Sequence, residues 1–345
     1  LPYLFIGQRI MYTVVLYILL ISIIGSSYAL LNITSSPYTC DFGNQVLNSR
    51  DLQSRLWGMA QQELGIVPDF EALRNNAFVK EFYGGRNFGF SAYVVNNKPV
   101  FYTRIWKNGN SGIRVSLFVH AREKDPNNFC PKGGNKCTPD DFDYKEEEHE
   151  EVAEKLVKQT GNPINSFSFI RRPMSHFLSG LREYYFIRNY RASRPELKKE
   201  YVSPSDLAIF LRSFVDVTRP APKGVFTAPY AGHLATIPHV YPQATIFRES
   251  YGSHVLGRME NFSADWRQMQ RAFGIDVLIR KEFGDRESSK DAAKVGESWT
   301  TLMAHRPEYT RALCWLLMPD YLCYNYPLPV QCEDMVHKLK FAYLQ

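Results

Sequence analysis

Residues 99 to 117 read Pro99-Val-Phe-Tyr-Thr-Arg-Ile-Trp-Lys-Asn-Gly-Asn-Ser-Gly-Ile-Arg-Val-Ser-Leu117, an extended apolar run that stops at lysine and glycine and then becomes amphipathic. β-Branched and aromatic residues from Val100 to Trp106 are typical of a buried strand. Gly109 and Gly112 allow a tight turn and a close approach of a ligand to the backbone. The stretch therefore predicts a strand, a phosphate-binding loop and a helix.

The loop in this stretch predicts an anion site. Outward-facing amides of residues 110 to 113, at the positively polarised N-terminus of a helix, would bind a phosphate-like group. Lys107 and the Ser111 hydroxyl would complete the site. The alternative is an Asn-Gly hairpin turn between two strands, because Lys-Asn-Gly-Asn is also favourable turn chemistry. The G-x-x-x-x-G-K-[ST] spacing of nucleoside-triphosphate loops is absent.

A second junction between a strand and a helix lies downstream. Residues 164 to 170 alternate like a strand and end at Arg171, and Pro173 suits the first turn of a helix. This geometry places Arg171 at the carboxyl end of the strand and Ser179 about two turns along the helix, where both could contact a second anion. The alternative is that Arg171 forms a salt bridge and Ser179 only packs.

The beginning of the chain predicts a membrane anchor. Residues 10 to 31 are apolar and carry no charge, which is long enough to cross a bilayer, and Arg9 favours a cytoplasmic N-terminus. We divide the chain into a tail (1–9), a transmembrane signal anchor (10–31), a stem (32–51) and a lumenal domain (52–345). A cleaved signal peptide beginning at Met11 is the alternative, and it also sends the rest of the chain into the lumen.

The length of the chain suits one large α/β domain or two small ones, and we favour one domain with an anchor. The chain of 345 residues is 45% hydrophobic with a formal net charge of +6, which suits an anionic ligand but does not indicate nucleic acid. An even number of cysteines predicts disulfides in an oxidising compartment. We expect Cys130 to pair with Cys137, and Cys323 with Cys332, and leave the rest open. Asn32-Ile-Thr is a glycosylation sequon, and no close C-x-x-C pair indicates a metal site.

Five motifs carry a resemblance to a known family. Phe169-Ile-Arg-Arg-Pro-Met-Ser-His-Phe-Leu-Ser-Gly180 resembles the 3′-phosphate-binding signature of the membrane-bound carbohydrate sulfotransferases, and the Lys107 loop is similar to their 5′-phosphosulfate loop. Three further elements of that family follow in the expected order: His239-Val-Tyr-Pro-Gln243, Leu256-Gly-Arg-Met-Glu-Asn-Phe-Ser-Ala-Asp265 and Met318-Pro-Asp-Tyr-Leu-Cys-Tyr-Asn-Tyr326. The resemblance covers roughly residues 99 to 327.

The resemblance implies a phosphate-loop-type sulfotransferase fold, an α/β fold with a mostly parallel central sheet flanked by helices. It implies transfer of a sulfuryl group from 3′-phosphoadenosine-5′-phosphosulfate (PAPS) to a hydroxyl or amine of a glycan, by a single-pass Golgi membrane enzyme with a lumenal catalytic domain. Lys107 would stabilise the charge on the leaving oxygen. Because lysine and amides supply this charge, we expect no metal ion. The residues implied to bind PAPS are Lys107, Asn108, Gly109, Asn110, Ser111, Gly112, Arg171 and Ser179.

The acceptor hydroxyl must lose a proton to a group of near-neutral pKa. His239 is our first choice as this general base, because it lies beside a loop rich in proline, tyrosine and glycine, where it could face a cleft. The alternative is a histidine that only holds its loop by hydrogen bonds to the backbone. The other candidates for the base are His233, His120 and Glu183.

Three other functions compete with sulfation. Trp106 and Arg172 depart from the family pattern, which favours a lumenal glycan-binding protein that keeps the fold without catalysis. A type II glycosyltransferase is another alternative, although we assign no Asp-x-Asp metal site to the chain. A glycosidase could use Glu260 and Asp265 as its carboxylate pair, but Asp265 is equally expected in the first turn of a helix, where its charge complements the helix dipole.

Overall fold

The computed structural model describes residues 40–84, 89–105, 108–124, 137–183, 203–217, 239–245, 254–279, 290–335 and 337–339. The tail and the transmembrane span assigned from the sequence lie outside these residues. Among the helices that are described, none combines the length and the apolar character needed to span a bilayer.

A mixed sheet forms the centre of the described fold, with five strands in the order β3-β1-β2-β4-β5. β1 pairs antiparallel with β2 and with β3, whereas β2 pairs parallel with β4 and β4 pairs parallel with β5. The α/β class is confirmed, but the sheet is mixed rather than mostly parallel, because its first two strands form a hairpin. The strands are β1 (Phe90–Val95), β2 (Lys98–Thr103), β3 (Asp143–Tyr144), β4 (Asn165–Ile170) and β5 (His254–Arg258).

The hairpin turn between β1 and β2 consists of Asn96 and Asn97. Both residues have positive φ, 51° and 61°, as a two-residue turn of the primed type requires to match the twist of the strands. Val95 then pairs with Lys98. The Asn-Asn-Lys sequence therefore forms a tight turn that connects β1 to β2.

The helices alternate with these strands and extend on both sides of them in sequence. They are α1 (Asp41–Asn48), α2 (Arg50–Glu63), α3 (Phe70–Asn75), α4 (Ala77–Gly84), α5 (Asn110–Lys124), α6 (His149–Thr160), α7 (Pro173–Glu183), α8 (Pro204–Val215), α9 (Phe262–Phe273), α10 (Lys290–His305), α11 (Pro307–Leu316) and α12 (Met318–Cys323). Short 3₁₀ helices lie at Pro139–Phe142, Glu146–Glu148, Gln243–Thr245, Met259–Asn261 and Val330–Cys332.

Alternating residues of the hairpin pack against helices on opposite faces of the sheet. Tyr93 and Tyr102 belong to a buried cluster with Leu117 of α5 and Trp266 of α9, whereas Phe90, Ala92 and Phe101 pack with Val152 of α6. A larger buried cluster joins α1 to α4 with α7, α8 and α10 to α12, and it includes Ile105 and Ile170 beside the strand ends. The carboxyl ends of β2 and β4 therefore adjoin the helical part of the protein.

The folded region begins earlier in the chain than the sequence indicated. α1 and the start of α2 lie within residues 32–51, which were assigned to the stem, and Val46 is fully buried. A disulfide joins Cys40 to Cys323 at the end of α12, with Cα atoms 5.2 Å apart. The segment from Cys40 onward is thus part of the domain.

The pairing of the C-terminal cysteines differs from the prediction. Cys332 bonds to Cys314 of α11, with Cα atoms 6.4 Å apart, so the predicted bond between Cys323 and Cys332 is wrong. The reason is the position of α1, which brings Cys40 next to Cys323. Cys137 is also disulfide-bonded, while its predicted partner, Cys130, lies outside the described residues.

Candidate functional site

Three parallel strands each lead into a helix at the same edge of the sheet. β2 is followed by α5, β4 by α7 and β5 by α9, with β4 between the other two. The carboxyl ends of such strands form the crevice in which ligands bind to open α/β sheets. The two junctions predicted to bind anions are therefore neighbours at this edge.

The first junction forms an open helix N-terminus. Gly109 has a φ of +71°, and α5 starts at the next residue, which excludes the hairpin alternative at this position. The amide of Ile113 donates to the Gly109 carbonyl at 3.0 Å. Ile113 therefore cannot offer its amide to an anion, although it was included in the predicted range of residues 110 to 113. Residues 110 to 112 keep amides without an acceptor inside the helix.

The first turn of this helix is accessible at Ser111 and Gly112, whereas a β-carbon on Gly109 would lie 3.0 Å from the Met259 side chain. Ser111 is exposed, and a β-carbon on Gly112 would meet no atom of the described residues within 4 Å. A ligand could therefore approach the first turn closely. Lys107, which the family resemblance implies would stabilise the charge on the leaving oxygen, lies outside the described residues.

Asn108, the residue that follows Lys107, is fully buried. Its side-chain nitrogen donates to the Phe169 carbonyl at 2.8 Å and to Oε1 of Gln243 at 2.7 Å. Its backbone amide donates to the Ile105 carbonyl at 3.3 Å. The side chain of Asn108 thus connects the loop to β4 and does not face an open crevice.

The second junction has the strand, arginine and helix in the predicted order. Arg171 directly follows β4, and its backbone amide donates to Oε1 of Gln243 at 2.9 Å. Its carbonyl accepts from Nε2 of the same residue at 2.7 Å. α7 begins at Pro173 as predicted and carries Ser179, which is half-buried.

His239, predicted as the general base, lies beside this second junction. Its carbonyl oxygen would be only 1.8 Å from a β-carbon on Gly180, the residue after Ser179. The histidine is 3% exposed, so its ring is buried rather than open to a cleft. Among the alternative bases, His120 is half-buried on α5 and Glu183 ends α7, while His233 lies outside the described residues.

Gln243 and Asp320 are the residues that the sequence analysis missed. Asp320 is fully buried and accepts hydrogen bonds from the Ala244 amide at 2.7 Å and from Nε2 of Gln243 at 3.2 Å. Burial raises the pKa of Asp320 to about 7, although these donors oppose the increase. Both residues lie within motifs quoted above, which was the signal that could have identified them.

A third group of polar residues surrounds the end of β5. Arg258 lies 4.8 Å from the centre of the Tyr326 ring, and its guanidinium donates to the Tyr324 carbonyl at 3.0 Å. Glu260 accepts from the Arg172 amide at 2.7 Å and from the Tyr326 hydroxyl at 3.1 Å. These bonds join the loops after β4 and β5 to the C-terminal motif.

The glycosidase alternative finds no support in these contacts. Asp265 lies in the first turn of α9, as expected, and accepts a hydrogen bond from the Arg258 amide at 2.7 Å. Glu260 is bonded to other groups, the Arg172 amide and the Tyr326 hydroxyl. Each carboxylate therefore has a structural role that does not require the other.

The chain contains an Asp-x-Asp sequence, Asp141-Phe-Asp143, which our assignment overlooked. Asp143 pairs with Arg104 at 2.7 Å and with Arg114, and it accepts from the Ser91 hydroxyl at 2.6 Å. Asp141 accepts from the Thr138 amide at 2.7 Å. These carboxylates are therefore engaged in the fold. Within the described ranges, no group of three or more potential ligands is placed to hold a metal ion.

No family model, curated protein or solved structure matches this chain. The assignment of function therefore depends on the arrangement of its own residues. In that arrangement, the described parts of all five sequence motifs meet at the carboxyl edge of β2, β4 and β5.

Proposed function

We propose that this protein is a PAPS-dependent sulfotransferase that sulfates a hydroxyl or amine of a glycan. The supporting observation is that Asn108 and the backbone of Arg171 bind the same side chain, the amide of Gln243. Two junctions, each with the chemistry to bind an anion, therefore adjoin. A single nucleotide with phosphate groups at its 5′ and 3′ positions requires such a pair of sites.

The 5′-phosphosulfate would bind at the start of α5. The amides of residues 110 to 112 and the exposed Ser111 hydroxyl can donate to its oxygens, and the dipole of the helix favours the negative charge. Lys107 would add a full positive charge beside the oxygen that joins sulfur to phosphorus. A fixed cation at that oxygen is most effective where negative charge develops as the bond breaks.

The 3′-phosphate would bind at the second junction. Arg171 can donate two parallel hydrogen bonds to a phosphate, which is the strongest form of this contact. Ser179, further along α7, can add its hydroxyl. This second site would distinguish PAPS from adenosine phosphates that lack a 3′-phosphate.

The reaction transfers one group and one proton. The acceptor oxygen or nitrogen forms a bond to sulfur while the bond from sulfur to the 5′-phosphate oxygen breaks. The proton of the acceptor passes to a base, and adenosine 3′,5′-bisphosphate leaves. In-line transfer of this kind depends mainly on positioning and on charge stabilisation, so lysine, arginine and amides suffice for the chemistry described here.

His239 remains our candidate for the base. Its backbone contact with Gly180 brings its segment beside Ser179 and therefore beside the proposed nucleotide. A glycan acceptor, attachment to the Golgi membrane and the absence of a metal requirement are further parts of the proposal, and they rest on the sequence resemblance.

The burial of His239 favours a second candidate function. A base that is 3% exposed cannot reach an acceptor unless its surroundings move. A lumenal protein that binds glycans without transferring sulfate would not need such a movement.

Calorimetric titration of the full chain with adenosine 3′,5′-bisphosphate tests the proposal. Adenosine 5′-diphosphate, which has two phosphates but none at the 3′ position, is the matched control. We expect the bisphosphate to bind at least about tenfold more tightly, which corresponds to roughly 1.4 kcal/mol. Absent binding, or equal binding of both ligands, would overturn the proposal, and transfer of labelled sulfate from PAPS would then separate the enzyme from the glycan-binding alternative.

A further inference from the structure

We infer that Gln243 is a positioning residue that couples the two phosphate-binding junctions, so that the 5′ and 3′ sites act as one. This inference rests on the proposed function. Nothing in the sequence analysis assigned a role to Gln243. The hydrogen bonds around the Gln243 side chain support the inference.

Backbone pairing between β2 and β4 ends before the two junctions begin. The last paired residues are Tyr102 and Phe167. The Ser168 hydroxyl then donates to the Thr103 carbonyl at 2.8 Å. Beyond this point, side chains replace the ladder, and the strands can separate to form a crevice.

Gln243 joins the two strands at the buried base of that crevice. Its Oε1 accepts from Asn108 on the β2 side at 2.7 Å and from the Arg171 amide on the β4 side at 2.9 Å. Its Nε2 donates to the Arg171 carbonyl at 2.7 Å and to Asp320 at 3.2 Å. One amide group therefore joins three separate segments of the chain to its own.

The orientation of this amide is determined by its partners. Oε1 faces two N–H donors, while Nε2 faces a carbonyl and a carboxylate, so a rotated amide would leave all four groups poorly matched. Gln243 is fully buried, and a buried polar group without a partner loses its hydrogen bonds to water without replacement. The side chain therefore has one favourable orientation, which fixes the Arg171 backbone relative to the first junction.

Replacing a residue that couples the two sites should change the relative affinities for two ligands, which a general loss of stability would not do. Adenosine 3′,5′-bisphosphate must contact both junctions at once, whereas adenosine 5′-monophosphate contacts only the first. If Gln243 sets the spacing between them, its replacement weakens bisphosphate binding and has little effect on the monophosphate. A residue that only stabilised the fold would affect both ligands alike.

The test uses Gln243→Met, which keeps the length of the side chain but removes its hydrogen bonds. Gln61→Met is the matched control, because Gln61 is also fully buried and donates to a carbonyl, that of Val215 at 3.0 Å. We expect Gln243→Met to weaken binding of the bisphosphate about tenfold or more and to change monophosphate binding less than about threefold. The control should leave the ratio of the two affinities unchanged.

A second measurement applies even if Gln243→Met does not fold. In the wild-type protein, binding of the bisphosphate should slow hydrogen exchange of the 239–245 segment, and the monophosphate should not. Loss of both affinities in equal proportion, an unchanged affinity ratio, or absent protection of this segment by a bound bisphosphate would overturn the inference while the proposed function stands. A wild-type protein that does not bind the bisphosphate would overturn both.

Discussion

The backbone carbonyl of His239 packs directly against Gly180. A β-carbon placed on Gly180 would lie only 1.8 Å from the His239 carbonyl oxygen and 2.4 Å from the carbonyl carbon. Gly180 is part of α7, next to Ser179, and is buried. The helix that carries one proposed phosphate contact therefore touches the backbone of the segment that carries the proposed base and Gln243. Only glycine permits this approach.

We expect Gly180→Ala to lower the stability of the protein and to weaken nucleotide binding. A backbone group cannot move aside as a flexible side chain can, and overpacking of this kind costs roughly 1–3 kcal/mol or more. Gly296→Ala is the control, because Gly296 lies in α10 and an added β-carbon there would have no neighbour within 4 Å in the described part of the chain. Thermal unfolding and bisphosphate titration measure the two effects. A Gly180→Ala protein as stable as the control would contradict this contact.

Replacing Lys107 and replacing Arg171 should have different effects on sulfate transfer and on ligand binding. Lys107→Ala removes the charge at the leaving oxygen and should lower kcat by about 10²-fold or more, with a smaller effect on bisphosphate affinity. Arg171→Ala should chiefly weaken the binding of ligands with a 3′-phosphate. Arg267→Ala, an exposed position on α9, is the control. Sulfate transfer and titration separate these effects, and a fully active double variant would disprove the assignment.

Much of the fold near the site followed from local signals. The strand before Arg171 and the start of α7 at Pro173 were both predicted, because hydrophobic alternation indicates a strand and proline constrains the backbone at the first turn of a helix. The parallel order of the strands was only partly predicted. The hairpin made the sheet mixed, and hydrophobic alternation does not reveal the direction of a partner strand.

Contacts between distant segments could not be read from the sequence. The disulfide between Cys40 and Cys323 joins residues 283 positions apart, and local spacing suggested a nearer partner. Gln243 and Asp320 are 77 positions apart, and neither residue belongs to a charged or metal-binding cluster in the sequence. Their role follows from burial and from hydrogen-bond geometry, which a pattern of residue types does not contain.

Asp143→Asn should destabilise the protein strongly. Asp143 lies between Arg104 and Arg114, all three side chains are at most 16% exposed, and burial raises the pKa of Asp143 while the arginines lower it. Removing one partner from a buried ion pair leaves an uncompensated charge and costs up to about 3–5 kcal/mol. Asp140→Asn is the control, since Asp140 also contacts Arg114 but is 84% exposed, and surface pairs contribute about 0–1 kcal/mol. Equal urea-unfolding midpoints for the two variants would refute this ranking.

The disulfide pattern has a direct chemical test. Peptide mapping without reduction should recover Cys40 linked to Cys323 and Cys314 linked to Cys332. In the chain-entropy model the bond that spans 18 residues stabilises by about 3 kcal/mol and the bond that spans 283 residues by about 5.6 kcal/mol. The Cys40→Ala/Cys323→Ala variant should therefore lose more stability than Cys314→Ala/Cys332→Ala. Recovery of a peptide that links Cys323 to Cys332 would contradict the pairing in the structure.

The buried carboxyl of Asp320 should make stability depend on pH in one direction. Burial raises its pKa from 3.8 to about 7, so the folded protein binds this proton more tightly than the unfolded chain. The resulting stabilisation is fully present below the unfolded pKa and is lost as the pH rises through about 7.

Asp320→Asn cannot ionise and lacks this contribution, although its amide nitrogen would face Nε2 of Gln243 and lower stability by a constant amount. We expect the free energy of unfolding of the wild type, relative to Asp320→Asn, to fall between about pH 4 and about pH 7 and then level off. Urea unfolding of both proteins across this range measures the difference, and parallel curves would show that the carboxyl ionises at its ordinary pKa.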